Sequence, residues 1–319
     1  MNIPKEKKNI LLTSVGGLTG TYLTKVFLKT GGFNIIGVDM GNNIPLKESL
    51  HRFINVPASN SPDYIDVIKG IVNKEKVDYI IPVSSYDMNV FSKLSDDPLL
   101  GEKMLIIDYK TNNTLHNKKN CYEFLNRIGI DTPQIYEDEV VFPLIMKPEE
   151  GSGSKGVIIL QNAEELSYWK QTNNQSIIME YLEGEEYTVD CLFDSKGFCK
   201  GYNIRKRMKT AGGGAVVTQN DYKYCGEVQK VISRLEDTKL LKGPINFQFK
   251  VKNNRILVFD FNTRFASGGL PVTVESGFNI PVLLLNIIDG KDISNWVCPD
   301  DKKNLKMIRY YEEVFVNEP

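Results

Sequence analysis

GPINFQFKVKNNRILVFDFNTR, residues 243–264, contains two β-like runs joined by the turn-forming stretch Lys252-Asn253-Asn254-Arg255, and the pattern predicts a hairpin. Side chains alternate faces along a strand, so Asp260, Asn262 and Arg264 are expected on one side, with Gln248 of the partner run able to join them. One carboxylate and two amide oxygens converging beside a guanidinium suit a hard divalent cation carrying anionic oxygens. Mg²⁺ takes oxygen ligands and is usually held by few protein groups plus phosphates. Taken alone, the same face also reads as an exposed polar hairpin with Asp260 capping a turn. The upstream sequence bears on that choice.

Upstream, Pro143 to Pro148 reads as an apolar strand carrying Lys147. It runs into Gly151-Ser152-Gly153-Ser154-Lys155-Gly156 and then into a second strand. Glycines in such a connection let backbone N–H groups approach phosphate oxygens while nearby lysines supply charge. The GK[ST] ending of a P-loop is absent, and a hairpin tip with no ligand is the plainer reading of the loop alone. Residues 177–186 pass from a strand into a connector ending in acidic residues. Its free backbone groups suit an adenine edge and its carboxylates suit ribose hydroxyls; a solvated acidic turn is the ordinary alternative.

The first hundred residues alternate strand and helix: strand Asn9 to Thr13, helix Gly20 to Lys29, strand Asn34 to Val38, helix Tyr64 to Lys74, strand Tyr79 to Val83 and strand Met104 to Ile107. This pattern predicts a doubly wound parallel sheet, with ligands beyond the C-terminal strand ends at Ser14 to Gly20, Asp39 and Ser84 to Asp87. A helix from Lys118 to Ile128 should close at Gly129 with Pro133 beyond it. A small α+β unit follows: strands Leu144 to Met146, Val157 to Leu160 and Ile177 to Glu180, with a helix from Ala163 to Gln171. The chain is then mainly β to Lys223, with a helix from Gly226 to Leu235 before the hairpin. Three units are expected, residues 1–112, 113–184 and 185–319, without internal repeats.

Composition narrows the function classes. The 319 residues are 41% hydrophobic and 25% charged, as in an ordinary globular protein. Lys plus Arg (39) balances Asp plus Glu (40), so no global basic field points to nucleic acid. No apolar run approaches the roughly 20 residues needed to span a bilayer. The basic start, Met1 to Lys8, precedes a short strand and does not read as a secretory signal. Five scattered cysteines without a CxxC pair fit a reducing compartment, hence a cytoplasmic location, and do not suggest zinc. The two histidines, His51 and His116, have no nucleophile motif nearby and read as surface or packing residues.

Together these pieces resemble the ATP-grasp superfamily, and within it the carbamoyl-phosphate-synthase-like carboxylate–amine ligases. Four motifs occur in that family's order: Asn117-Lys118 opening a helix; Lys147-Pro148 before the glycine-rich loop; Glu180-Tyr181-Leu182 with Glu186; and Gln248 with Asp260-Phe261-Asn262-Thr263-Arg264. The resemblance covers the chain from the N-terminal sheet to about Gly269. It implies an ATP-grasp fold, α/β and α+β: an N-terminal pre-grasp domain (1–112), a small central lobe with the glycine lid (113–184) and a C-terminal lobe carrying the metal and acceptor site (185–319). By position, Lys118 and Lys147 would neutralise nucleotide phosphates and Gly151 to Gly156 would close over them. Glu180 and Leu182, flanking Tyr181, would read adenine through their backbones, and Glu186 would hold the ribose. Gln248, Asp260 and Asn262 would anchor one or two Mg²⁺, for which Mn²⁺ can substitute, and Arg264 would face the transferring γ-phosphate. The family usually has Asp where Asn117 stands and Glu where Asp260 stands; the shorter carboxylate makes bridging of two metals less assured.

The implied chemistry is activation of a small-molecule carboxylate as an acyl phosphate, with ADP released, followed by attack of an amine. Phosphoryl transfer needs positioning and charge neutralisation more than covalent help. Exclusion of water protects the acyl phosphate, so the loop is expected to move. The basic strand around Arg205 and Arg207 leads to Gly212-Gly213-Gly214; one of these arginines is expected to meet the substrate carboxylate or the acyl phosphate, with a solvated basic strand as the alternative. Ser267-Gly268-Gly269 should border the substrate. The family implies a homodimer as one assembly; neither nucleic acid nor membrane is expected as a partner, on the charge balance and the apolar run lengths, although a local basic patch stays open. Three rival readings remain: an NAD-dependent oxidoreductase built on Gly16, Gly17, Gly20 and Asp39, a nucleotide binder without turnover, and complete carbamoyl phosphate synthesis, for which the chain has room for one synthetase half only.

Overall fold

The computed structural model describes residues 7–136, 140–151, 153, 155–173 and 175–315. Its N-terminal part runs β1 (Lys8–Leu12), α1 (Leu18–Thr30), β2 (Phe33–Asp39), β3 (Arg52–Asn55), α2 (Tyr64–Lys74), β4 (Tyr79–Ile81) and α3 (Ser85–Phe91). The four strands form a parallel sheet in the order β3-β2-β1-β4. Apolar runs such as Ile10-Leu11-Leu12 are wholly buried because both faces of the sheet are covered: Ile10 and Leu12 face one core and Leu11 the other.

Two helices, α4 (Tyr109–His116) and α5 (Lys118–Arg127), lead to an antiparallel sheet of β5 (Leu144–Pro148), β6 (Ile158–Leu160) and β7 (Ser176–Glu180), with α6 (Ala163–Thr172) before β7. The third sheet is made by β8 (Glu186–Phe193), β9 (Cys199–Ala211), β10 (Gly214–Asn220), β11 (Gly243–Lys252), β12 (Arg255–Asn262) and β13 (Lys306–Ile308). The helices α7 (Cys225–Thr238), α8 (Leu270–Glu275) and α9 (Ile280–Ile288) complete this part. Its order is β12-β11-β8-β9-β10-β13, antiparallel throughout.

The alternation along the central strands explains the large sheet. Tyr187, Val189, Cys191 and Phe193 of β8 and Ile245, Phe247 and Phe249 of β11 enter one core with Val228, Val231 and Leu235 of α7. The intervening residues Glu186, Thr188, Asn246 and Gln248 face the opposite side, and that side lines a cleft. Although the sequence reading groups it with the small sheet in the unit 113–184, α5 places Cys121, Phe124 and Leu125 in the large sheet's core, while Tyr122 packs with Ile177 and Met179 of the small sheet.

The strand expected from Met104 to Ile107 does not form. Its apolar residues serve burial instead: Met104 and Ile106 enter one core, Leu105 packs against a second and Ile107 joins a third. Helix α4 and strands β3 and β13, which the apolar pattern does not announce, complete the topology. The 252–255 turn forms with Asn253 and Asn254 at φ 50° and 61°, the left-handed pair that a two-residue hairpin loop requires. Among the described residues no helix is long and apolar enough to cross a membrane.

Candidate active site

A cleft of about 380 Å³ lies between the small and large sheets. Of the residues singled out from sequence, Lys118, Lys147, Gly151, Gly153, Glu180, Tyr181, Leu182, Glu186, Arg205, Arg207, Gln248, Asp260, Asn262 and Arg264 all line it. Ser152 and Ser154 lie outside the described residues.

The hairpin supplies the oxygen donors. Gln248 sits directly opposite Asp260, and Asn246 opposite Asn262. The register shifts between Gln248 and Phe249, so Phe259 is an extra residue on β12. This bulge resets the alternation: Ile256 and Val258 point into the core, yet Asp260 and Asn262 point into the cleft. Asn262 Nδ2 donates to Asp260 Oδ2 at 2.8 Å, and Asn262 Oδ1 accepts from Arg264 Nη2 at 3.2 Å. Gln248 Oε1 accepts from Arg207 Nη1 at 2.7 Å, so this expected metal ligand is engaged by a guanidinium. Among the described residues no three His, Cys, Asp or Glu side chains converge as a metal site. One carboxylate with two amide oxygens nonetheless matches the donor chemistry of Mg²⁺, which retains waters and phosphate oxygens.

From the small sheet, Lys147 is buried, its Nζ donating to Tyr122 Oη at 2.9 Å and to the Phe259 carbonyl at 2.7 Å. Burial pulls its pKa down to about 8, against the opposing pull of Asp260. Lys118 is also lowered by burial, with Asp260 again opposing, and its Nζ reaches the carbonyls of Glu149 and Gly151 at 3.4 and 3.3 Å. Asn117 caps α5 through Oδ1 and donates Nδ2 to Glu149 Oε2 at 2.9 Å. An Asp there would face that carboxylate as a like charge, which accounts for the amide in this chain.

Around the connector after β7, Glu180 spends its carboxylate on the Gln134 N–H (3.1 Å) and on Lys252. The Leu182 carbonyl accepts from Lys250 Nζ at 2.7 Å. Glu186 pairs with Arg207, whose Nη2 also donates to the Gly213 carbonyl at 2.7 Å. The Gly213 backbone meets Gly153 so closely that a Cβ on Gly213 would stand 2.6 Å from the Gly153 Cα, which brings the glycine loop of the small sheet against the β9–β10 turn.

Arg205 is the more buried of the two arginines on β9. Its Nε and Nη2 donate to Asp190 at 2.9 and 3.2 Å, and Thr273 Oγ1 donates to the same carboxylate. The pair is 2% exposed on each side, so removing the acid strands a buried cation. Asp190→Ala is therefore expected to cost about 3–5 kcal/mol, read as a lowered urea midpoint at unchanged m value.

The N-terminal sheet also reaches the cleft. Arg264 Nε donates to Ser85 Oγ at 2.8 Å, bringing the N-terminus of α3 to the residues that follow β12. Burial lowers the Arg264 pKa and Asp260 opposes this. Asp39, by contrast, has both carboxylate oxygens occupied by backbone, Oδ2 by Gly16 N and Oδ1 by Gly41 N, each at 2.9 Å. That use is structural and takes the oxygens a dinucleotide ribose would need. Ser85 falls in the Ser84 to Asp87 segment expected to meet ligands, whereas the sequence reading did not single out Tyr122, Thr188 or Lys250. For Thr188 a signal existed, since Glu186, Thr188 and Asp190 alternate with apolar residues; Tyr122 has none, because a helix position reveals no distant partner.

Comparison with known proteins sets this cleft in context. A family model described as ATP-grasp in the biosynthetic pathway with Ter operon matches residues 172–312, and a PylC-like N-terminal domain model matches residues 10–101. The carbamoyl phosphate synthase large chain of Haemophilus ducreyi is 28% identical over 172 residues, which is 49% of this chain and 16% of that protein. The chain thus spans only a small part of that relative's length. The fold matches the biotin carboxylase domain of Hydrogenobacter thermophilus 2-oxoglutarate carboxylase, solved with MgADP, ADP and bicarbonate, at a TM-score of 0.73, with 14% identity over 91% of this chain and 71% of that one. It also matches the L-amino acid ligase of Bacillus licheniformis at 0.69, with 16% identity over 89% and 75%.

Proposed function

Because this chain belongs to the ATP-grasp superfamily and has its fold, we propose that it is an ADP-forming ligase, activating a carboxylate as an acyl phosphate and joining it to an amine. One observation carries this reading: Lys147 Nζ of the small sheet lies 2.7 Å from the Phe259 carbonyl, one residue before Asp260, so a phosphate-binding cation and the metal strand meet across one cleft. In this proposal residues 1–112, 113–184 and 185–319 act as pre-grasp domain, lid-bearing lobe and metal lobe. The nucleotide's phosphates lie against Lys118 and Lys147 under the loop from Gly151 to Gly156, which includes Ser152 and Ser154. The base stacks by Tyr181 and pairs with the backbone of Glu180 and Leu182, and Glu186 takes the ribose. Gln248, Asp260 and Asn262 would hold Mg²⁺, or Mn²⁺ in its place, Gln248 being available for this only when its hydrogen bond from Arg207 opens. The metal, when bound, neutralises phosphate charge and polarises the transferring group. Arg264 stabilises the equatorial oxygens, and the dry cleft preserves the acyl phosphate. A cytoplasmic location and a homodimer belong to the same proposal.

The test is ADP release from purified protein against pooled carboxylates and amines, followed by deconvolution of any active pool. Nucleotide binding without ADP release in any pool would leave a binding protein; no nucleotide binding at all would end the proposal. A proton accompanies binding. Lys147, with its pKa near 8, is partly neutral at pH 8.5, and an adjacent triphosphate favours its charged form. Calorimetry at that pH in buffers of different ionisation enthalpy should therefore show proton uptake on binding Mg–ATP analogue, and affinity should fall as pH rises through about 8.

A further inference from the structure

Lys147 is held by a side chain that does not itself line the cleft, Tyr122. Tyr122 stands four residues after Lys118 on α5, so the two share a helix face. Its ring packs with Ile177 and Met179 of the small sheet, and the residue is 2% exposed. The hydroxyl donates to the Phe259 carbonyl at 2.7 Å, the Met179 sulfur at 3.5 Å being the longer contact, and accepts from Lys147 Nζ at 2.9 Å. Lys147 Nζ donates to the same carbonyl, also at 2.7 Å. Phe259 is the bulge residue, without a register partner on β11, and its carbonyl serves these two donors. The ammonium also lies over both rings, 5.2 Å from the Tyr122 centroid and 5.8 Å from that of Phe259.

An ammonium carries three hydrogens on a flexible four-carbon stem. The Tyr122 hydroxyl and the Phe259 carbonyl are its acceptors among the described residues, and they lie only 2.7 Å from each other. Both therefore sit on one side of Nζ, and at least one hydrogen faces away from them. Lys147 lines the cleft, so that donor is available to a ligand there. A lysine free to turn loses rotamer entropy on meeting a phosphate, whereas one already pinned loses less. We propose that Tyr122 is a positioning residue for the nucleotide's phosphates: its hydroxyl, with the bulge carbonyl, aims the remaining donor of Lys147 at a phosphate oxygen. This rests on the ligase reading and deepens it, since Tyr122 touches no nucleotide and acts only through Lys147. A hydroxyl present for packing alone would serve base, ribose and phosphate binding alike.

Tyr122→Phe removes the hydroxyl and keeps the ring. Calorimetry at pH 7 compares the binding of Mg–ATP analogue with that of adenosine, which carries no phosphate, in wild type, Tyr122→Phe, Lys147→Met and the double variant. Tyr122→Phe should bind Mg–ATP analogue about 5–10-fold more weakly than wild type and adenosine within about twofold. The double variant should bind Mg–ATP analogue as Lys147→Met does, about 10²-fold below wild type, because without the ammonium the hydroxyl has nothing to aim. Three results overturn the role: equal weakening of adenosine, Mg–ATP analogue bound by Tyr122→Phe within about twofold of wild type, or a further loss of about 5–10-fold from Lys147→Met to the double variant. If Tyr122→Phe alone is too unstable to titrate, the last comparison decides by itself, since Lys147→Met relieves a buried charge and leaves a more tolerant background. Failure of the wild type to bind Mg–ATP analogue removes the ligase reading instead.

Discussion

Asp260→Ala should reduce ATP turnover by roughly 10³-fold or more, because it removes the one carboxylate in the oxygen-donor set and a metal anchor supplies several kcal/mol of charge stabilisation. Asp260 is opposed to Gln248 on β11, and its Oδ2 accepts from Asn262 Nδ2, so the change alters one internal hydrogen bond and no core packing, but it also withdraws the carboxylate that favours the charged forms of buried Lys118, Lys147 and Arg264. The variant should therefore fold with a lowered thermal midpoint, and turnover is compared at a temperature where both proteins are folded. Steady-state ADP release with Mg²⁺ titrated over a wide range separates the possibilities: Asp260→Glu, which restores a carboxylate on a longer arm, should regain turnover with a shifted Mg²⁺ dependence, whereas Asp260→Asn should not. Turnover surviving in Asp260→Ala would mean that the metal is held elsewhere.

Lys147→Met carries the second large effect, and its sign for binding is opposite to its sign for stability. The lysine's pKa of about 8 lies below the ordinary 10.5. Below pH 8 it is charged in both folded and unfolded chains, and the burial penalty is fully present. Between pH 8 and 10.5 the folded protein sheds the proton that the unfolded chain keeps, so the unfolded state binds more protons and stability rises with pH. The penalty is bounded by about 3 kcal/mol, and the two hydrogen bonds of the ammonium offset part of it. Methionine fills the same space without a charge, so the variant should be as stable as wild type or more so at pH 7, the difference shrinking above pH 10. Affinity for Mg–ATP analogue should meanwhile fall by about 10²-fold, since a desolvated charge paired with phosphate is lost. Urea titrations at pH 7 and pH 10 with calorimetry of nucleotide binding check both signs together. A variant that unfolds at pH 7 would show that Lys147 is there to hold Tyr122 and Phe259, not a ligand.

The hairpin at 252–255, the parallel N-terminal sheet and the positions of Lys118, Lys147, Glu186, Gln248, Asp260, Asn262 and Arg264 on one cleft were all legible in the sequence. The hairpin, the sheet and the shared face of Gln248, Asp260, Asn262 and Arg264 rest on local rules: period-two alternation, turn residues able to take positive φ, and helices spaced between apolar strands. Lys118, Lys147 and Glu186 came instead from the order of motifs by which the chain resembles the ATP-grasp superfamily. The run Met104 to Ile107 misled for the converse reason. Four apolar residues in a row record burial but not whether a neighbouring strand or several cores receive them.

What the chain order determined alone was which residues stand near each other along a strand and which side of it they can share. Tertiary structure decided which of those sides met. Ile256, Val258, Asp260 and Asn262 are all even-numbered, and strict alternation would send core and cleft residues the same way; the extra residue at Phe259 separates them, and its place depends on how β12 pairs with β11. The same holds for Arg205: nothing in its sequence neighbourhood distinguishes it from Arg207, yet both reach the cleft with different partners, Arg205 held by Asp190 and packed on Gly269, Arg207 paired with Glu186. Side-chain charge is written in the sequence, but the partner that neutralises it comes from a distant strand, and only folding brings the two within hydrogen-bonding distance.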